Sequence, residues 1–146
     1  MGKSERRSGH GYERKIARWL RNLGVDAQRN VSETQTGNTG DVLAELRSWS
    51  PEGGKASGPG VNLVVQAKFR KTPSPWKGQE EADEAMTSPS DIAVGFCRRK
   101  GDQTLVTMRP ETFGTMLRIV QMYLADAGKD TYLTIRNRVA DMEDCP

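Results

Sequence analysis

Four side chains of the sequence, Glu13, Asp41, Gln66 and Lys68, have types suited to work on a phosphodiester. A hard divalent cation such as Mg2+ takes oxygen ligands: carboxylates, amide carbonyls and water. Asp41 and Glu13 offer carboxylates, and Gln66 an amide oxygen. Lys68 can set an ammonium against a scissile phosphate or an attacking water. Metal-assisted phosphodiester hydrolysis uses such a set. Each residue also has a plainer use. Asp41 after Gly40 suits a turn, Gln66 and Lys68 suit the solvated face of a strand, and Glu13 suits a helix surface.

The periodicity of the chain supplies elements to position them. Tyr12, Ile16, Trp19, Leu20 and Leu23 recur at helical spacing and predict a helix over Gly11 to Leu23, capped by Gly24. Val25 to Val31 reads as a short strand, with Val25, Ala27 and Val31 inward. Ser32 to Gly40 reads as a turn-rich loop, and Asp41 to Arg47 as a second strand. Val61 to Phe69 is the strongest strand: alternation puts Val61, Leu63, Val65, Ala67 and Phe69 on one face and Asn62, Val64, Gln66 and Lys68 on the other. A Pro-rich turn precedes a short helix over Gln79 to Met86. Ile92 to Cys97 and Thr104 to Arg109 form a hairpin, and Pro110 opens a helix ended by Gly128. That helix carries Phe113, Met116, Leu117, Val120, Leu124 and Ala127 on one stripe. The order α-β-β-β-α-β-β-α predicts an α/β fold, a central mixed sheet flanked by helices. Residues 1–8 read as a flexible basic arm, 9–128 as the domain and 129–146 as a polar tail.

The charge distribution names a class of partner. The 146 residues carry 22 Lys and Arg against 19 Asp and Glu, a net charge of +3. The surplus is segregated. Lys3, Arg6, Arg7, Arg14, Lys15, Arg18 and Arg21 lie near the start, Arg70 and Lys71 follow the strongest strand, and Arg98, Arg99 and Lys100 form a turn. Acidic residues gather in Glu80 to Glu84 and Asp141 to Asp144. Such a division can build a positive face that attracts phosphate backbones. No apolar run approaches the roughly 20 residues of a membrane span, and the basic start has no apolar core of a secretory signal. Together with few cysteines, this leads us to expect an intracellular, cytoplasmic protein.

The motifs GYERKIARWLRNLG, GNTGDVLA, LVVQAKFR and DIAVGFCRRKGDQTLVTMRPETF, in this order over roughly residues 9–127, carry a family resemblance. The sequence resembles the PD-(D/E)XK nuclease superfamily, and within it the phage and archaeal Holliday junction resolvase-like proteins. The resemblance implies a restriction-endonuclease-like core and a Mg2+-dependent endonuclease, with Mn2+ as a substitute metal, that resolves four-way or branched DNA as a homodimer. It makes Asp41 the central metal ligand, Gln66 the second, the backbone carbonyl of Ala67 a third contact and Lys68 the catalytic lysine. Glu13 matches the acidic residue that the first helix brings to the metal. Lys3, Arg6, Arg7, Arg14, Arg70, Lys71, Arg98, Arg99 and Lys100 would grip DNA. For a viral member, the host cytoplasm is the implied location.

Position 66 departs from the family pattern: it is Gln where most resolvases have Glu, which keeps an oxygen ligand and loses a charge. The Q-x-K form also occurs in Mrr-like restriction endonuclease domains, so cleavage of duplex DNA is the alternative activity. A DNA-binding module with a decayed site is the non-catalytic one. The glycine-rich stretch from Ser48 to Gly60 reads as a loop that contacts the junction or varies freely in length. The exposed side of the last helix, Trp49 and Trp76 are candidates for the dimer interface. His10, in a Gly-His-Gly turn, reads as exposed or phosphate-facing. Cys97 reads as buried and inert, Cys145 pairs with no zinc motif, and Tyr12 and Trp19 read as core.

Overall fold

A computed structural model of the chain describes residues 3–31, 40–47, 60–142 and 146, with the backbone alone for 3–6. The elements are α1 (Lys3–Asn22), β1 (Asp26–Arg29), β2 (Val42–Leu46), β3 (Val61–Arg70), α2 (Pro75–Glu84), β4 (Ile92–Arg99), β5 (Thr104–Thr107) and α3 (Pro110–Ala140). The predicted order and α/β class are those observed. Five strands form one sheet in the order β1-β2-β3-β4-β5. β3 and β4 run parallel, joined through α2, and the other neighbours run antiparallel. No described helix is long and apolar enough to cross a membrane.

The two faces of β3 divide the molecule as its alternation predicts. Leu63 and Val65 pack with Tyr12, Ile16 and Leu20 of α1, and Ala67 and Phe69 extend that core. Ile16, Val42 and Val65 are fully buried, each contributing roughly 1.5–3 kcal/mol relative to exposure. Tyr12 stacks obliquely on Phe69, and Trp19 meets Phe96 edge-on. Gly24, at φ 85°, ends α1 in a Schellman motif: Val25 N–H donates to Leu20 O and Gly24 N–H to Arg21 O.

α2 covers the opposite face and approaches the sheet closely. A Cβ on Gly95 would collide with Thr107 Oγ1, and one on Gly78 would meet Lys68 Cγ and Cys97 Sγ at 3.3 Å. Glycine at both positions lets helix and strands approach. α2 starts earlier than predicted because Ser74 caps it, accepting from Lys77 N–H, with Pro75 at the first helical position. The sequence reading took those two residues for a turn.

Both ends of the chain differ from expectation. α1 is already helical at Lys3, where an arm through residue 8 was expected; Gly9 and Gly11 lie within the helix, each costing about 1 kcal/mol relative to Ala. Gly128, at φ 79°, breaks α3 as predicted, but the helix resumes beyond it to Ala140. The last segment is less polar than its charge suggests, for it carries Tyr132, Leu133, Ile135 and Val139. The predicted stripe of α3 does not close the core: none of its residues is buried, and Phe113 and Leu117 are exposed. α1 and α2 already cover the two faces of the sheet, leaving α3 no face to pack on. Val31, expected inward, is exposed, because β1 ends at Arg29. Residues 32–39 and 48–59, Trp49, Cys145 and the Lys3 and Arg6 side chains lie outside what is described.

Candidate active site

Asp41 stands in the turn that leads into β2, and local hydrogen bonding fixes its backbone. Its N–H donates to Val65 O at 2.8 Å and its carbonyl accepts from Asn30 N–H at 2.9 Å. The Asn30 amide donates to Gly40 O. Gly40 must be glycine here: its φ is +74°, and a Cβ would lie 2.9 Å from Val65 O. So held, the Asp41 carboxylate accepts Ala67 N–H through Oδ2 at 2.8 Å. Val42 and Val65 are the last β2–β3 pair at this end, so the side chain of Asp41 continues where the ladder stops. The N–H and C=O of one strand residue point to the same side. The Ala67 carbonyl therefore also faces the Asp41 edge of β3.

Gln66 and Lys68 project beneath α2, as alternation predicts. Both reach one oxygen of Glu81: Gln66 Nε2 donates to Oε2 at 3.2 Å, and Lys68 Nζ forms an ion pair with the same atom. Glu81 was missed in the sequence because Glu80 to Glu84 reads as a solvated acidic run. The Ser74-Pro75 start was the available signal: it sets a helical register in which Gly78 and Glu81, three residues apart, both face the sheet.

Glu13 is near but otherwise engaged. Its Oε2 accepts from Arg29 Nε at 2.6 Å, with both side chains mostly buried. Arg29, the last residue of β1, is thus a second residue the sequence reading missed, and it holds Glu13 in an ion pair. Among the described residues, no three His, Cys, Asp or Glu side chains gather as a metal-holding group.

Electrostatics separates the two carboxylates at this end of β3. Burial pushes the Asp41 carboxyl above its usual range; the Ala67 N–H bond and Lys68 draw it down, and the Glu13 and Glu81 charges push it up. Burial also acts upward on Glu81, but hydrogen bonds from Lys68 and Gln66, with the Lys68 and Lys77 charges, hold it below the usual range.

The donor set fits a hard divalent cation. The carbonyl oxygen of Gln66 is buried with no hydrogen-bond partner among the described residues, and a buried unpaired acceptor costs about 1–3 kcal/mol. Asp41 is a half-buried carboxylate, and burial pushes its carboxyl above the usual range. Mg2+ is commonly held by one or two carboxylates with several waters, so Asp41, the Gln66 amide oxygen and the Ala67 carbonyl would suffice without three acids.

Basic residues share this end of the sheet. The parallel register sets Lys68 beside Cys97, Phe69 beside Arg98 and Arg70 beside Arg99. Arg70 and Arg99 therefore lie on the Lys68 face; Arg99 also pairs with Asp102. On the α1 side, Ser8, Tyr12, Lys15, Phe69, Arg98 and Lys100 line a cleft of about 360 Å³. Lys15 thus joins the predicted basic turn. Arg7, Arg14 and Lys71 are exposed, as is His10, which lies within α1 and not in a turn. Cys97 is buried and Trp76 exposed.

The chain is similar to Hjc of Archaeoglobus fulgidus. That solved structure is of a Holliday junction resolvase from an archaeal hyperthermophile; the similarity covers 69% of this chain and 72% of that one, at 15% identity and a TM-score of 0.46. No protein-family model matches the sequence, and no curated protein matches it.

Proposed function

We propose that the chain is a Mg2+-dependent endodeoxyribonuclease that hydrolyses phosphodiesters of four-way or branched DNA, built on a restriction-endonuclease-like core. The observation that carries this reading is the Asp41 carboxylate anchored on Ala67 N–H, between the flanking residues Gln66 and Lys68 of the same strand. It joins a carboxylate, an amide oxygen and an ammonium at the basic end of one sheet. The sequence resemblance supports the same assignment.

Mg2+ would supply phosphate neutralisation and a more acidic water. Asp41, Gln66 Oε1 and the Ala67 carbonyl would hold it. Lys68 orients the attacking water or stabilises charge developing on the phosphate. Arg70, Lys71, Arg99 and the cleft residues Lys15, Arg98 and Lys100 grip backbone phosphates, which positions DNA without reading its sequence. That suits recognition of shape.

A homodimer is part of the proposal, since a four-way junction presents two strands to cut. It is supported by Phe113 and Leu117, which stand one turn apart on the same side of α3 and are both exposed.

Gln66 favours a second reading, an Mrr-like endonuclease acting on duplex DNA. The deciding experiment compares a synthetic four-way junction with matched duplex, in Mg2+, for wild type, Asp41→Ala and Lys68→Ala. Symmetric junction cleavage, lost in both variants, is expected. Equal cutting of duplex would favour the second reading. Binding without cleavage in Mg2+ or Mn2+ would leave a DNA-binding module.

A further inference from the structure

We propose that Glu81 is a positioning residue of the candidate site, one that orients Gln66, tethers Lys68 and supplies from α2 the negative charge absent at position 66. The inference deepens the nuclease reading and rests on it. A carboxylate only accepts hydrogen bonds. Glu81 Oε2 therefore selects the NH2 end of the Gln66 amide, and the opposite flip would set two oxygens against each other. The consequence is visible at the other end of the same amide, where Gln66 Oε1 stays buried without a partner among the described residues. The same Oε2 holds Lys68 Nζ, so one atom fixes two residues of the site.

The helix is placed for this contact. Gly78 and Gly95 allow α2 to lie close on β3 and β4, and Ser74 fixes where it begins. Glu81 follows Gly78 by three residues, on the face toward the sheet. The plain alternative is an ion pair that merely staples α2 to β3, which would contribute little.

The test uses the full chain and five variants: Glu81→Ala, Glu81→Gln, Glu81→Asp, Gln66→Glu, and the exchange Gln66→Glu with Glu81→Gln. The readouts are kcat and KM on junction DNA, Mg2+ binding by calorimetry without DNA, and Tm. Glu81→Ala is expected to lose about 10–100-fold in kcat or Mg2+ affinity, as for other groups that orient a ligand, with KM for DNA little changed. Glu81→Asp should recover part of the loss. Gln66→Glu alone sets two carboxylates together and should lower both Tm and kcat; the exchange variant restores the amide–carboxylate pair and should recover both. Wild-type kcat and Mg2+ affinity in Glu81→Ala and Glu81→Gln, with cleavage lost in Asp41→Ala and Lys68→Ala, would overturn this inference and leave the nuclease reading standing. An exchange variant no better than Gln66→Glu would overturn it too. Wild-type cleavage in Asp41→Ala and Lys68→Ala would overturn both.

Discussion

Asp41 and Asp91 occupy equivalent places at opposite ends of the sheet, and their surroundings set them apart. Each is an aspartate in the turn before an inner strand, β2 or β4. Asp91 Oδ2 accepts from Thr87 N–H, Thr87 Oγ1 and Ser88 N–H, and Oδ1 accepts from the Asn62 amide. Burial works against its charge, but these donors hold its carboxyl below the usual range. Asp41 accepts Ala67 N–H and faces the charges of Glu13 and Glu81, and its carboxyl is pushed up. Four donors reach the buried Asp91 carboxylate, whereas among the described residues Ala67 N–H alone donates to the half-buried Asp41 carboxylate. A carboxylate kept under those conditions costs stability, which is in keeping with the role proposed for Asp41.

The largest expected effect separates the two by activity. Asp41→Ala should reduce Mg2+-dependent cleavage at least about 100-fold. Asp91→Ala, per folded molecule, should stay within about twofold of wild type, having no contact with the site. An equal loss in both would dissolve the distinction.

Stability should reverse the ranking. Asp91→Ala strands the turn donors and is expected to cost about 2–3 kcal/mol, a fall in Tm of roughly 5–10 °C by thermal denaturation. Asp41→Asn keeps an oxygen to accept Ala67 N–H and removes the poorly compensated charge, so its Tm at pH 7 should exceed that of wild type. A Tm below wild type would mean that Asp41 is as well satisfied as Asp91.

The pH dependence sharpens the contrast, because the two shifts have opposite sign. The Asp91 carboxyl is lowered in the folded state, so its contribution is present above the ordinary carboxylate range and is lost as pH falls through the folded value. The Asp41 carboxyl is raised, so the folded state holds its proton more tightly; its unfavourable contribution appears as pH rises through the shifted range and vanishes in acid. The Tm advantage of Asp41→Asn should therefore disappear on acidification, and the deficit of Asp91→Ala should shrink. Tm profiles of both variants against wild type measure this directly.

The smallest effect concerns DNA binding at the two ends. Arg70→Ala and Arg99→Ala lie at the Asp41 end, and each should weaken junction binding a few-fold and reduce the salt slope by about one. Arg47→Ala lies at the Asp91 end, ion-paired with Glu45, and should leave the slope unchanged. Fluorescence anisotropy against salt concentration reads all three.

Much of this arrangement was legible in the chain. The alternation of Val61 to Phe69 assigned both faces of β3, and the stripe of α1 named the core against it. Gly40 beside Asp41 pointed to the turn, whereas the close approaches at Gly78 and Gly95 were not legible. Long-range pairing was not legible. Glu81 meets Lys68 only because α2 lies close over β3, and Glu13 is held by Arg29 only because β1 returns beside α1. The apolar stripe of α3 looked like core because periodicity records amphipathic character and not what covers it.

The central claim, that Asp41 is held for its charge at a nuclease site, is tested most directly by the cleavage rate of a synthetic four-way junction in Mg2+ by Asp41→Asn against wild type. This substitution removes the charge and keeps the shape. The account predicts a loss of at least about 100-fold in cleavage with junction binding retained; cleavage within about twofold of wild type would contradict it.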